Sequence, residues 1–392
     1  MNLENIVDLI IKNKNPIDAP VLREILDVKE ILDFQKVNID ELLLDNSLEG
    51  LAHMLVKRFD EVEYNEKITG LMMVEDQKER ILRIIDSALT FCDDVYVFDT
   101  GSEDGTLNVL KSIKNDNVKF FELPWVENFG LMRNKCKENA HARWLFYYDA
   151  DGMLVDQQQI PETEERIKGM LAILDILFQN HDISITEKMY FSAQSSNFVA
   201  LDRLIKNTKT INFWGKIHEQ PRSGGKESNV LTIASKISSI STDSEKVKFN
   251  KNRRYAGLIE EMIKEEPNNS RWIAQLDEQR YLDGTLSIDY PTLLKKAIFK
   301  DINAPISYNN VKTSKYLETL LSKLVTLEVD QKNLVKAEET ISLGRRLFPN
   351  NSVFIFFKYS IKKHQIDQMV RQNLHDLLRT CLESFQEYSQ EG

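Results

Sequence analysis

Cysteine, proline and glycine are all scarce in this chain: 3, 9 and 14 in 392 residues. The cysteines, Cys92, Cys136 and Cys381, are odd in number and lack metal-ligand spacing. That argues against a disulfide framework or a zinc module, and implies a reducing, cytoplasmic setting in which all three are packing residues. Few prolines and glycines, beside 42% hydrophobic and 29% charged residues, argue against low-complexity or disordered chains and describe a helix-rich globular protein. Positive charge is also in deficit, with a formal net charge of −10, so the surface field offers no footprint for nucleic acid or an anionic membrane. No run reaches the roughly 18 apolar residues of a membrane span; Met170 to Phe178 is short and broken by Asp175. The opening MNLENIVDLIIKNKNP carries acidic residues where a secretory leader needs positive ones. Neither GxGxxG nor GxxxxGK[ST] occurs, which sets aside the dinucleotide and P-loop classes.

At roughly 150 residues per domain, the length fits two to three domains. Residues 1–64 place apolar side chains at helical spacing (Ile6, Leu9, Ile10; Leu22, Ile25, Leu26) and form a helical extension. From 65 to 250 the texture alternates. ITGLMMV, VYVFDT, VKFFEL and WLFYYDAD read as strands, separated by helical stretches that end in LTFC, SIKN and CKENA. Strand–helix alternation predicts an α/β domain with a mainly parallel sheet covered on both faces. A helix over about 161–180, strands near 188–191 and 198–205, and a polar loop PRSGGKES complete it. Residues 251–392 read as helical to the end, and a Pro-Asn-Asn-Ser turn recurs at 267–270 and 349–352, as in stacked hairpins of tetratricopeptide type.

In such a sheet ligands bind beyond the carboxyl ends of the strands, where Asp99 and Asp149 are expected. Asp149-Ala150-Asp151 leaves a strand with its two carboxylates at i and i+2, so both can face one hard cation such as Mg²⁺ or Mn²⁺; the plain alternative is a solvated turn. Asp99 precedes the glycine-containing turn TGSEDGT and is placed to accept a hydrogen bond from a nucleobase N–H. Ser102 or Asp104 equally suits a helix cap.

The series GLMMVEDQKERILRIIDSAL, VFDTGSEDGT, WVENFGLMRNKCKENA, WLFYYDAD and FWGKIHEQP, in that order, resembles the GT-A domain of family 2 glycosyltransferases over about residues 66–222. The layout of helical extension, GT-A domain, G-K-I-H-E-x-P segment and helical tail is similar to peptide S-glycosyltransferases of the sublancin (glycocin) type, which modify Cys or Ser of bacteriocin precursors. The resemblance implies that Met73, Val74 and Glu75 line a nucleobase pocket with Asp99, that Arg133 and Asn134 approach the nucleotide, and that Asp149 and Asp151 hold the cation. Arg133 also makes sense by itself as a phosphate donor or as a salt-bridge partner. Trp125 and Trp214 suit either stacking on a ligand or burial. Glu219 is the expected proton acceptor, with His218 as a metal ligand, a diphosphate contact or a support for the loop. Two departures stand out: ISSISTDSE occupies the place of the family's H-x-G-Y segment, which opens the third metal position to His218 or Asp243, and Ala140-His141-Ala142-Arg143 replaces a Thr-Gly-Asp turn.

The expected activity is therefore inverting, metal-dependent transfer of a hexose from a UDP-sugar, UDP-glucose first, to Cys or Ser of a small precursor peptide. A homodimer through the helical tail is an expected assembly. The rivals are a family 2 enzyme acting on a cell-surface or lipid-linked saccharide and a non-catalytic peptide-binding scaffold.

Overall fold

The computed structural model describes residues 67–150, 152–154, 168, 171, 174–175, 178, 180–190, 198–241, 245–276, 280–281, 283–284 and 286–390. The expected leader over 1–64, Asp151, Asp243 and most of 161–180 lie outside them. The chain divides into two compact units between Lys251 and Asn252.

In the first unit, the apolar run ITGLMMV makes β1 (Ile68–Val74), almost wholly buried as a strand covered on both faces must be. Apolar residues at helical spacing, Ile81, Ile84, Ile85 and Ala88, are the buried stripe of α1 (Ile81–Leu89). The alternation continues through β2 (Asp94–Asp99), α2 (Thr106–Ser112), β3 (Val118–Glu122), α3 (Phe129–Lys137) and β4 (Trp144–Asp149). Six strands follow: β5 (Gly152–Leu154), β6 (Asp182–Tyr190), β7 (Phe198–Lys206), β8 (Ile211–Trp214), β9 (Gln220–Ser223) and β10 (Val230–Ser241).

The main sheet has the order β3-β2-β1-β4-β7-β6-β10-β5. β1 pairs in parallel with β2 and β4, β2 with β3, and β6 with β10. β7 is antiparallel to both neighbours, and β5 to β10, so every strand but β5 and β7 runs one way. The mainly parallel α/β architecture is the one the strand–helix alternation implies. The chain moves outward from β1 to β3 and then returns to lay β4 on the other side of β1, so the order reverses at the β1/β4 boundary. A crevice opens at such a reversal beyond the carboxyl strand ends. Leu71, Phe98, Leu145, Tyr147 and Phe213 share the core beneath it.

Three expectations change. Pro221–Ser223 lie not in a polar loop but in β9, which forms a two-stranded hairpin with β8. The long strand β10 has no counterpart in the pattern of the sequence. Cys381 is exposed, whereas Cys92 and Cys136 are buried as expected.

The second unit is helical. It follows the start of α4 (Glu245–Glu265) and comprises α5 (Ser270–Gln275), α6 (Tyr290–Ile298), α7 (Leu317–Asp330), α8 (Leu334–Leu347) and α9 (Ser352–Gln390). Both Pro-Asn-Asn-Ser turns start helices by one device: Asn269 accepts from the Arg271 N–H at 3.1 Å and Asn351 from the Val353 N–H at 2.8 Å. Val325, Ala337, Ile341 and Ile361 join α7, α8 and α9 in one core. Gly344 lets the Phe354 ring lie against the α8 backbone, where a Cβ would stand 2.4 Å from a ring carbon. Among the described residues no helix is long and apolar enough to cross a membrane.

Candidate active site

Strand register assembles the carboxyl edge. Val74 pairs with Asp99 across β1/β2, and Met73 pairs with Asp149 across β1/β4, so the two aspartates flank the end of β1. Asp99 is buried. Its Oδ1 accepts from the N–H groups of Gly101 and Ser102, each at 3.1 Å, while buried Oδ2 has no hydrogen-bond partner among the described residues. A buried acceptor left unmade is costly, and this one lies where a nucleobase is expected. Of its neighbours, Val74 is buried, Met73 half-buried and Glu75 exposed.

The turns after β1 and β2 are laced together. Asp76, at φ +52°, accepts from the N–H of Glu103 at 2.8 Å and of Asp104 at 3.2 Å. Ser102 Oγ accepts from the Asp76 N–H at 2.9 Å, and Asp104 accepts from the Lys78 N–H at 2.9 Å. The N-cap of α2 is Gly105, in left-handed conformation, with no side-chain cap bond, so neither Ser102 nor Asp104 is the cap; Asp104 accepts from the Thr106 N–H at 2.8 Å, and Ser102 bridges the two turns.

The β8–β9 loop, Gly215 to Glu219, is seated on the start of α3. The first N–H groups of a helix lack intrahelical partners; here Phe129 N–H donates to Lys216 O at 2.9 Å and Gly130 N–H to Gly215 O at 3.0 Å. Asn128 caps the helix by accepting from the Leu131 N–H at 2.9 Å. Asn134, expected near the nucleotide, instead binds the Phe213 backbone in both directions, at 2.9 and 2.8 Å. The loop turns through Gly215 at φ +119° and His218 at φ +48°. A left-handed conformation is uncommon for histidine; it leaves His218 exposed and turns the next residue, Glu219, inward.

Glu219 thereby joins a cluster of charges. The Arg133 side chain, 4% exposed, donates through Nε to Glu219 Oε1 and through Nη2 to Asp149 Oδ1 at 3.2 Å. Its guanidinium lies 5.2 Å from the Tyr147 ring centre and 5.5 Å from that of Phe213, and the Tyr147 hydroxyl donates to the Arg133 carbonyl at 3.3 Å. Burial opposes its charge, but the Glu219 and Asp149 carboxylates outweigh that and raise its pKa. Arg203, on β7, donates through Nη2 to Asp149 Oδ2, and its Nη1 lies 3.9 Å from Glu219 Oε1. Each Asp149 oxygen thus holds one arginine. Beside them, a cavity of about 10 Å³ is lined by Tyr148, Asp149, Glu187, Met189, Leu201, Arg203 and Ser239. Burial pushes the Glu187 carboxyl above its ordinary range, against a hydrogen bond from Ser239 and the charge of Arg203.

The structure brings together Asp149, Arg133 and Glu219 from the sequence-predicted set. Trp214 is exposed at 45%, with Arg222 stacked on it at 5.2 Å; Trp125 is half-buried, and its Nε1–H donates to Glu127 at 2.8 Å. Sequence reasoning missed Arg203 and Glu187, whose one signal is charge inside otherwise strand-like segments. Among the described residues no group of three or more His, Cys, Asp or Glu is placed to hold a metal ion, and Asp151 lies outside them. Asp149 offers hard carboxylate oxygens of the kind Mg²⁺ and Mn²⁺ take, and each of the two is held by an arginine.

An α/β domain with carboxylates and arginines gathered at its carboxyl strand ends places its charged groups where such sheets bind small ligands. Residues 71–224 match the family model "Glycosyl transferase family 2". It is similar to the "SPbeta prophage-derived glycosyltransferase SunS" of Bacillus subtilis (strain 168) and to "Glycosyltransferase SunS" of Bacillus phage SPbeta, each 23% identical over 300 residues. The match covers 75% of this chain and spans 66% of the length of those relatives. Among solved structures, S. aureus TarS 1-349 in complex with UDP-GlcNAc aligns at a TM-score of 0.38 with 12% identity, over 75% of this chain and 92% of that one. A second S. aureus TarS structure aligns at 0.37 with 13% identity, over 71% and 55%.

Proposed function

We propose that the protein is an inverting hexosyltransferase that takes its sugar from a UDP-sugar, UDP-glucose first, and places it on Cys or Ser of a small precursor peptide in the cytoplasm. The observation that carries this reading is the Arg133 bridge, which holds a donor-side carboxylate, Asp149, and an acceptor-side carboxylate, Glu219, on one guanidinium. The Asp99 Oδ2 atom supplies a hydrogen-bond acceptor for the uracil N3–H. Met73 and Val74 border it. The relatives named SunS are glycosyltransferases, which supports the transferase class; the peptide acceptor and the hexose are this proposal's own.

In the mechanism, Asp149, together with Asp151, is the ligand for a divalent cation, which when bound neutralises charge on the diphosphate. Arg133 holds Glu219 in place through its Nε. Both ion contacts of Glu219 go through Oε1, so Oε2 is the oxygen assigned to the proton of the attacking thiol or hydroxyl. A thiol, with an ordinary pKa near 8.5, asks less of that base than a hydroxyl does. His218 is assigned to the loop's turn and, through its exposed ring, to the diphosphate or the cation. In the helical tail, α9 exposes Ile366, Val370, Leu374, Leu377, Leu378 and Leu382. These recur every three to four residues along one face, which we assign to pairing of two copies.

The test is a screen of UDP-sugars with Mn²⁺ or Mg²⁺ against cysteine- and serine-containing peptides, followed by peptide mass. The expected result is a hexose added by the wild type and no product with excess chelator or with Asp149→Asn. Full activity under chelator removes the cation from the mechanism, and hexose transfer to saccharides but never to peptides overturns the acceptor.

A further inference from the structure

The two arginines at Asp149 are not equivalent. Arg133 is fixed on every side: two donor groups are used, the guanidinium lies between the Tyr147 and Phe213 rings, and its own carbonyl is held. Its helix is pinned to the β8–β9 loop by two backbone hydrogen bonds and by Asn134. Moving it would dismantle that support. Among the described residues Arg203 makes a single hydrogen bond, through Nη2 to Asp149 Oδ2, and its 3.9 Å approach to Glu219 is an ion pair too long to be a second one. A guanidinium offers five N–H donors in a planar fork, so most of Arg203's donors have no partner among the described residues. Its side chain is 11% exposed against 4% for Arg133.

Place and charge agree with a ligand-directed role. Arg203 sits on β7 three residues from Lys206, which pairs with Trp144 at the start of β4. Antiparallel pairing therefore carries Arg203 toward the carboxyl end of β4, the edge at which ligands enter such sheets. Arg133 and Arg203 face the carboxylates of Asp149 and Glu219, with Glu187 beside them. An incoming diphosphate adds negative charge and draws the cation with the fewest ties.

We propose that Arg203 is a diphosphate-binding residue of the donor site, held on Asp149 at rest and exchanged onto the diphosphate oxygens when the nucleotide enters. The inference rests on the UDP-sugar reading above. The two arginines then differ in role, with Arg133 bracing the two carboxylates and Arg203 binding the ligand.

The experiment measures binding of UDP, UMP and uridine to the full chain by calorimetry, for the wild type, Arg203→Met and Arg203→Lys. A charge-assisted hydrogen bond of the ordinary strength predicts that Arg203→Met weakens UDP about 10- to 100-fold. Uridine, which has no phosphate, should keep its wild-type affinity. Arg203→Lys restores the charge without the fork and should recover part of the UDP affinity. The proposal is overturned if UDP and uridine weaken by the same factor in Arg203→Met, or if UDP is unchanged. Should Arg203→Met fail to fold, Arg203→Lys decides: a lowered UDP-to-uridine affinity ratio supports the assignment, and the wild-type ratio overturns it. Wild-type protein that binds neither UDP nor uridine sinks the UDP-sugar reading itself, an outcome separate from failure of Arg203 alone.

Discussion

Gly130 is the point at which the smallest change should do the most to the site. It opens α3 directly against the loop that carries Glu219, with its N–H on the Gly215 carbonyl at 3.0 Å. A Cβ on residue 130 would stand 2.8 Å from that same oxygen and 3.2 Å from both Gly215 N and Phe213 O. All three are backbone atoms, so no side chain can rotate away; helix and loop must separate. Overpacking of this kind costs about 1–3 kcal/mol, which for a unit of this size lowers the melting temperature by roughly 2–12 °C. The activity loss should exceed the stability loss, because a misplacement of about 1 Å at a catalytic group costs on the order of 100-fold in rate. The assay pairs thermal unfolding of Gly130→Ala with its rate of UDP-sugar turnover. Gly70→Ala serves as the comparison, since its Cβ would meet chiefly the Cys92 side chain, whose Sγ lies at 3.1 Å, and that neighbour can give. If Gly130→Ala matches the wild type in melting temperature and rate, the α3–loop contact does not position Glu219.

Two further outcomes follow from burial. The Cys136 thiol is pushed up to about 12, by burial first and against the nearby charge of Arg133, and Cys92 is also buried while Cys381 is exposed. A thiol reagent at pH 8 should therefore label Cys381 quickly and the other two only on unfolding; rapid labelling of Cys136 in the folded protein would contradict the placement of α3. Glu187, its pKa raised by burial, is faced by Arg203, Asp149, Arg133 and Ser239. The sign follows from linkage: a carboxyl whose folded pKa is raised contributes stability below its unfolded value and loses it as pH climbs through the folded value. Glu187→Gln should therefore gain in melting temperature relative to the wild type as pH climbs above about 4, and a difference that stays constant or shrinks would refute it.

The half of the fold that was legible in sequence is the half built from local signals. β1 to β4 are runs of apolar residues between helical stretches, and Ile81, Ile84, Ile85 and Ala88 announce a buried stripe. β10 hid because VLTIASKISSIS mixes serines into its apolar positions and its pairing with β6 shifts register between Ala234 and Ser238, so no clean period of two survives. The β8–β9 hairpin hid behind a loop whose turn depends on a histidine at positive φ, a conformation that glycine usually announces. Asp149 and Glu219 are legible as acids at element ends. That Arg133 joins them is a tertiary fact, since 86 residues separate it from Glu219. Arg203 is one of two basic residues in the strand FVALDRLIK, and only the folding of β7 onto β4 shows what it meets.

How this site would manage a diphosphate follows from what α3 does with its own N-terminus. Aligned peptide dipoles and unpaired N–H groups make a helix start a ready anion site, and α3 begins beside the charge cluster. Yet its first donors are already given to the carbonyls of Gly215 and Lys216 and to the Asn128 side chain. The fold uses that helix end to hold the Glu219 loop, which places the candidate base but removes backbone donors from the phosphate side. Positive charge for the leaving group must then come from side chains or a bound cation. Two arginines on one aspartate meet that need, with Arg133 committed to structure and Arg203 left to exchange partners. Chelator sensitivity and the Arg203→Met binding profile accordingly report on two separate cationic contributions. Loss of both in one preparation should depress UDP affinity by about the product of the single losses if they act independently, and by less if the cation and Arg203 compete for Asp149.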